Sequence, residues 1–303
     1  MSVPAATDDR SAVHFVRDLW LLMKPELTLL SVFTSLASAF LALRDPQPSQ
    51  IVIFPLLALG TLLVGGGAGA FNQVLERDAD LLMKRTERRP LPDRRLLPSE
   101  GLLFAGIVSA VGIGTLSVIG LLPALLAATT FLSYVFLYTP LKRITPLATI
   151  IGAIPGALPT LIGWTAVSAS LTPEAFTLFA ILYYWQLPHF YAIGWVYRAD
   201  YRNAGFRLLT NMDDTGARVA TRVVVNQVLL LLVSISPALV GMVERSYIIV
   251  ALIVGAAFLL FGWRFLRATS GQDSGAAARR LFFASLFYLP VIFSAMIVYK
   301  VDR

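Results

Sequence analysis

Apolar runs long enough to cross a bilayer alternate with short polar stretches along most of the chain. Runs at 27–43, 51–75, 101–119, 121–138, 145–167, 173–197, 220–241, 246–267 and 278–299 predict nine membrane spans, because a hydrocarbon core of about 30 Å takes about 20 helical residues. In lipid every backbone N–H and C=O must be satisfied within the segment, which a helix achieves. The expected fold class is therefore all-α, a polytopic membrane helix bundle. Pro46 and Pro48 mark a short turn between the first two spans. Residues 1–24 are polar to amphipathic, with Asp8, Asp9, Arg10, Arg17 and Asp18 ahead of LWLLM. Those acids fit neither a signal peptide nor a transit peptide. The domain reading is an N-terminal cytoplasmic segment, 1–24, and one membrane-embedded domain, 25–303.

Composition agrees: 303 residues are 57% hydrophobic and 14% charged, with a mean hydropathy of +0.72, which excludes a soluble core. The absence of cysteine excludes a disulfide framework and a thiolate metal site. A net charge of +7 suggests nucleic acid in a soluble protein, but here the cations sort by loop. Of the 25 Lys and Arg, 21 fall on the side of the N-terminus and 4 on the other, so the N-terminus is expected in the cytoplasm and the C-terminus outside. The charge is thereby explained without nucleic acid.

The two longest internal polar stretches, 76–99 and 198–219, share the cytoplasmic face. The first opens FNQVLERDADLLMKRTERRPLPDRRLL, from Phe71 to Leu97. On a helix Asn72, Glu76 and Asp80 stand at i, i+4 and i+8, each step adding only about 40° of rotation, so all three project from one face. Such oxygen ligands suit Mg²⁺, which typically bridges one or two carboxylates to a substrate's phosphates. Lys84, Arg85, Arg88 and Arg89 follow as candidate phosphate contacts. A solvated, orientation-setting loop accounts for the cations alone. It does not account for three oxygen-bearing side chains sharing one face at a membrane helix's mouth, where ionisable residues are functional by default. The second stretch repeats the pattern: an apolar span runs into RADYRNAG with Asp200 at its mouth, a hint of internal duplication. Between them YTPLKRITP places Lys142 and Arg143 on the same face, either as orientation charges beside turn prolines or as phosphate contacts. Gly65, Gly66, Gly67, Gly69 and the stretch GAIPGALPTLIGW suit close helix packing.

Taken in order, NxxxExxxD with MKRTERRPL, YTPLKRITP, GAIPGALPTLIGW, WQLPHF and DYRNAG on nine spans resemble the protoheme IX farnesyltransferases, or heme O synthases, of the UbiA superfamily of membrane prenyltransferases. The motif resemblance covers Pro25 to Gly205, and the remainder matches in span count. It implies a UbiA-like bundle around a central cavity, in a bacterial cytoplasmic (inner) membrane, with Mg²⁺ holding farnesyl diphosphate and heme B as acceptor substrate. A heme A synthase or a terminal-oxidase assembly protein is the partner it suggests. Asn72, Glu76 and Asp80 then match the first metal-diphosphate motif and Asp200 the second. Lys84, Arg85, Arg88, Arg89, Lys142 and Arg143 match diphosphate contacts, while Tyr138, Trp185, His189 and Tyr201 are further substrate-binding positions. Two departures touch the second motif: FRLLTNMDD follows DYRNAG, and Ala199 precedes Asp200 where another acid is often found.

His189 is the one histidine within a span, after Pro188 and among Trp185, Phe190 and Tyr191. A regular helix onward to Asp200 places it roughly 16 Å below the mouth. An axial iron ligand, a base assisting water capture, and a hydrogen bond to a neighbouring helix are the three roles open to it. Two other functions compete with heme farnesylation. A quinone-type or alcohol-acceptor prenyltransferase shares the diphosphate site, but WQLPHF argues against it. A transporter needs acids in mid-span, and here they gather at the mouths.

Overall fold

The computed structural model describes residues 11–44, 48–269 and 273–301. Residues 1–10, the turn at Pro46 and Arg303 carry expectations that lie outside that range.

An amphipathic helix, α1 (Ala12–Leu22), precedes the spans. Phe15, Leu19 and Leu22 pack with Leu91, Leu96 and Phe104, Asp18 pairs with Arg95, and Val13 and Val16 stay exposed. The spans are α2 (Pro25–Ala42), α3 (Ile53–Leu75), α4 (Pro98–Ile119), α5 (Leu121–Leu141), α6 (Ala148–Ser168), α7 (Pro173–Val196), α8 (Ala217–Leu239), α9 (Tyr247–Ala268) and α10 (Ser274–Val298). Among the described residues, eight of these are long and apolar enough to cross a membrane. The ninth, α7, has 24 residues but carries Glu174, Tyr183, Tyr184, Gln186 and His189, which lower its hydropathy. Two of its polar groups are satisfied inside the bundle: Trp185 Nε1 donates to the Ser285 carbonyl at 2.7 Å and Gln186 Nε2 to the Ala153 carbonyl at 3.3 Å.

Each span packs on the next, α2 also lies against α6, and α10 returns to α7 and α2, so the helices close into a ring. α6 is the most enclosed, and its small residues are the reason. At Gly163 any Cβ would overlap the Ser35 carbonyl of α2, so only glycine allows that crossing. The end of α5 widens into π-helical winding over Ser133–Tyr138, just before Pro140. Pro140 has no N–H to give and Thr139 Oγ1 donates to the Tyr134 carbonyl at 2.9 Å, a local re-aiming of side chains common at functional sites.

Both long polar stretches begin alike. α3 stops at Glu76, with φ −99° and ψ 7°, before a short helix Arg77–Asp80. α7 stops at Tyr197, with φ −105° and ψ 23°, before a short helix Arg198–Asn203. The similar breaks support the duplication suggested by the sequence. They also correct one expectation, because the helix through His189 does not run regularly to Asp200.

Candidate functional site

The first motif comes together as its spacing predicts. Helical hydrogen bonding persists across the break, from Glu76 N to the Asn72 carbonyl at 2.9 Å and from Asp80 N to the Glu76 carbonyl at 2.8 Å. Asn72, Glu76 and Asp80 are all buried, while Arg77 and Asp78 between them face out and pair with each other at 2.8 Å. Each buried group meets a cation. Lys24 Nζ donates to Asn72 Oδ1 at 2.5 Å, Lys142 Nζ stands 2.5 Å from Glu76 Oε1, and Arg89 Nη1 donates to Asp80 Oδ2 at 2.8 Å. Asn72 Nδ2 in turn donates to Thr139 Oγ1 at 3.1 Å, tying α3 to the end of α5.

The electrostatics follow from this crowding. Burial opposes the charge of Glu76, yet Lys142 and Lys24 outweigh it and hold its carboxyl below the usual range. Burial likewise works against Lys142, and Glu76 more than offsets it, raising the ammonium. Lys24 loses that contest: desolvation, with Arg89 adding repulsion, lowers it to about 7. The buried carboxylates of Glu76 and Asp80 suit cations and repel a bare anion. An anionic ligand therefore depends on the cations around the mouth.

The second loop closes over this cluster from the side. Arg85 Nη2 donates to Tyr201 Oη at 3.3 Å and its guanidinium lies 5.3 Å from the centre of the Tyr197 ring. Lys142 Nζ sits 4.8 Å from the Tyr138 ring centre and 5.7 Å from that of Phe206, and Arg207 N donates to the Lys142 carbonyl at 2.8 Å. Lys142 and Arg143 part ways: Lys142 turns inward and Arg143 stays exposed. Lys84 and Arg88 are exposed as well, Arg88 offering only its carbonyl to Arg95 at 2.9 Å. Asp200 is half-buried, and it does not join Glu76 and Asp80 in a carboxylate cluster. Counting from the two helix breaks explains this, because Asp80 is four residues past Glu76 whereas the residue four past Tyr197 is Tyr201.

Trp185 and His189 lie apart from the mouth. Their rings stack at 5.0 Å, and Phe282 flanks His189 at 4.9 Å. His189 Nδ1 is 2.8 Å from Ser285 Oγ, and that hydroxyl donates to the Phe282 carbonyl at 2.5 Å. With the single hydroxyl proton so used, Nδ1 carries the imidazole proton and donates to Ser285, leaving Nε2 as the free lone pair.

Below the mouth a largely apolar cavity of about 120 Å³ runs between α2, α3, α5 and α6. Leu27, Val64, Ala68, Pro155, Pro159 and Ile162 line it, with Lys24 and Tyr134 among its polar lining. From Gly69 to Thr61 along α3 it extends roughly 12 Å by helical rise. Sequence reading did not single out Lys24, Tyr134, Thr139 or Ser285. Lys24 sits before a span-opening proline, where a lysine looks like an orientation charge, and only its side-chain contact tells otherwise.

As to the implied Mg²⁺, among the described residues no three Asp, Glu, His or Cys side chains gather into a self-sufficient metal cage. A phosphate-bridging Mg²⁺ needs only one or two carboxylates. Asp80 Oδ1 is buried with no hydrogen-bond partner, and Glu76 shares its face. The donor set fits such an ion.

An apolar cavity beneath a mouth of cations and buried carboxylates suits an amphiphilic phosphate, which fits the molecule to the class of integral membrane proteins that handle lipid-like phosphates. The comparisons narrow that class. The UbiA prenyltransferase family model matches residues 31–287. A protoheme IX farnesyltransferase of Koribacter versatilis (strain Ellin345) is 38% identical over 97% of this chain and 97% of that one. A second, of Solibacter usitatus (strain Ellin6076), is 40% identical over 93% and 98%. Among solved structures, a digeranylgeranylglyceryl phosphate synthase aligns with a TM-score of 0.77 at 14% identity over 96% of this chain and 100% of that one. A UbiA homolog from Archaeoglobus fulgidus bound to GPP and Mg²⁺ aligns at 0.66 and 15% identity over 92% and 99%. The chain belongs to the UbiA prenyltransferase family and is a multi-pass membrane enzyme.

Proposed function

We propose that this enzyme transfers the farnesyl group of farnesyl diphosphate to a vinyl group of heme B, with addition of water, to give heme O. The observation that carries the transfer reading is that Lys24, which lines the apolar cavity, also bonds Asn72 at the buried mouth that Glu76 and Asp80 share. The choice of heme as acceptor is supported by the names of relatives that align over nearly the whole chain.

In this reading Asn72, Glu76 and Asp80 hold Mg²⁺, which when bound supplies Lewis-acid stabilisation to the departing diphosphate. Lys142, Arg89 and Arg85 orient the anion, and Lys84, Arg88 and Arg143 add positive potential from the rim. Asp200 and Tyr201 border the mouth from the second loop. Tyr138 presents its ring beneath Lys142. The apolar walls exclude water until the new carbon–carbon bond has formed, so the allylic carbon is not hydrolysed first. Trp185 and His189 serve the acceptor side, with His189 Nε2 as the group available to heme iron or to a water. The same reading places the N-terminus in the cytoplasm of a bacterial inner membrane, residues 25–303 as one embedded domain after segment 1–24, and a heme A synthase or oxidase-assembly protein as the recipient of product.

The test is the mass of the heme product from purified enzyme, farnesyl diphosphate, Mg²⁺ and heme B. A gain of one farnesyl unit and one water is expected. Transfer to 4-hydroxybenzoate with heme untouched moves the enzyme to the quinone branch.

A further inference from the structure

α9 and α10 pack on each other, and only residues 269–273 separate the end of one from the start of the other. Four arginines gather at that joined end: Arg264 and Arg267 on α9, Arg279 and Arg280 on α10, all exposed. Helical rotation sets where they point. On α9 the exposed apolar side chains Ile249, Ile253, Leu260 and Trp263 form one stripe. At about 100° per residue Arg267 continues that stripe and Arg264 stands about 60° aside from its centre. On α10 the stripe is Phe283, Phe287, Val291 and Val298, and Arg279 and Arg280 fall within about 60° of Phe283. Apolar stripes left exposed along membrane spans face lipid, so the arginines that continue them face lipid as well.

Arg264 lies four residues inside the end of α9, and Arg279 and Arg280 five and six residues inside the start of α10. Helical rise then puts all three roughly 6–9 Å along the spans, within the reach of a long side chain that snorkels to the headgroups. Rings seat two of the guanidinium groups: Arg267 lies 5.1 Å from the centre of the Trp263 ring and Arg264 5.8 Å from that of Phe261. Neither α9 nor α10 carries an acid, and Asp273 in the connection is the nearest in sequence. Among the described residues none of the four arginines has an ion-pair partner.

Orientation alone does not account for this arrangement. Cations that only set topology work from any loop position and need neither matched depth on adjacent helices nor a ring beneath them. Arg267, in the last turn of α9, suits the carbonyls of that helix end. Arg279 and Arg280 stand near the opposite pole of α10, where the helix itself is partially positive and gives no reason for a cation.

We propose that these four arginines bind an anionic phospholipid, its phosphate held between the ends of α9 and α10 and its acyl chains lying along Leu260, Phe283 and Phe287. Guanidinium forks match phosphate oxygens bidentately, and Trp263 takes the headgroup level that tryptophan favours. Four unpaired cations beside one carboxylate ask for an anion. A phospholipid is the anion whose apolar part also covers the stripes that continue below them. The site lies on the lipid-facing side of the ring, apart from the mouth, and stands whatever acceptor the enzyme uses.

The experiment uses the full-length enzyme in dodecyl maltoside, titrated with tetraoleoyl cardiolipin or dioleoylphosphatidylcholine and read by native mass spectrometry. Helical circular dichroism is recorded on the same samples. Wild-type enzyme should retain one cardiolipin under conditions where phosphatidylcholine dissociates. Arg264→Gln combined with Arg280→Gln should weaken cardiolipin binding about 25-fold, from about fivefold per arginine. Arg264→Lys combined with Arg280→Lys should fall between, because it keeps the charge and loses the fork. Arg245→Gln, an exposed arginine just before the other end of α9, should leave binding within about twofold of wild type. Equal retention of the two lipids by the wild type overturns the proposal, as does wild-type cardiolipin affinity in the Gln pair. Equal weakening by Arg245→Gln overturns it too, since any surface cation would then serve. Should the Gln pair lose its helical signal, the Lys pair decides: weakened binding with helix retained supports the site, and wild-type affinity overturns it.

Discussion

Replacing Glu76 by Gln separates the structural from the chemical work of the mouth. Lys142 Nζ is 2.5 Å from Glu76 Oε1, with the two side chains only 12% and 8% exposed. At an effective dielectric near 20 that separation corresponds to a gross attraction of about 7 kcal/mol. Desolvation of the two ions, several kcal/mol each, cancels most of it, so the intact pair contributes little net stability. Removing one partner is different, because it leaves a cation in a desolvated pocket. Glu76→Gln should cost about 3 kcal/mol, the low end for a broken buried pair since the mouth opens toward water. Lys142→Met leaves the converse imbalance and also forfeits the ring contacts to Tyr138 and Phe206, about 1 kcal/mol more. The double variant should recover about 2 kcal/mol relative to the sum of the singles.

Denaturant titration in mixed micelles, followed by helical circular dichroism, measures the cycle. Turnover measured on the same samples should fall in all three variants, with no recovery in the double. Single-variant costs that add to within about 0.5 kcal/mol refute the pairing and with it the electrostatic account of the mouth.

Four other outcomes follow. Asp80→Asn should abolish turnover while the protein folds, with added Mg²⁺ restoring part of any residual rate; normal activity would reduce the shared face to a solvated helix end. His189→Ala should shift the absorption band of bound heme and leave farnesyl diphosphate affinity intact, whereas unchanged turnover leaves only the bond to Ser285 on α10. Ser285→Ala removes the acceptor of that bond from a buried site and should cost about 1–2 kcal/mol in the same unfolding assay. A topology reporter inserted near Pro92 should read cytoplasmic and one fused after Arg303 outside, and a reversal at either breaks the orientation.

Much of the fold was legible because lipid imposes a simple rule. Runs of about 20 apolar residues become helices in a bilayer whatever their neighbours do, so span positions follow from hydropathy and the ring then follows from short connections. The first motif was legible for a related reason, since i, i+4, i+8 fixes a shared face wherever hydrogen bonding stays helical, as it does through Glu76 and Asp80. The cations were harder. Lys142 and Arg143 are adjacent in sequence and equivalent by composition, yet one pairs with Glu76 and the other is exposed. That division depends on the π-winding and Pro140 at the end of α5, a rotation of side chains that no spacing rule carries.

Asp200 shows where sequence spacing fails. Extending α7 as a regular helix puts Asp200 at the mouth and His189 roughly 16 Å below it. Hydrogen bonding stays helical through Tyr197 as it does through Glu76, but Asp200 falls one position short of the place Asp80 holds after Glu76, and Tyr201 takes the matching place. What Arg85 meets in the second loop is accordingly aromatic, the Tyr197 ring and the Tyr201 hydroxyl, where a second acid would have made an ion pair. The departure at Ala199 points the same way, because without a second acid there the loop offers the mouth one half-buried carboxylate. At the mouth the buried carboxylates, Glu76 and Asp80, follow directly on α3, and the second loop contributes a lid of rings and a backbone tie from Arg207 to Lys142. On that division of labour Tyr201→Phe should loosen Arg85 and raise the KM for farnesyl diphosphate more than it lowers kcat. Asp80→Asn should do the reverse, and equal kinetic effects from the two would refute the division.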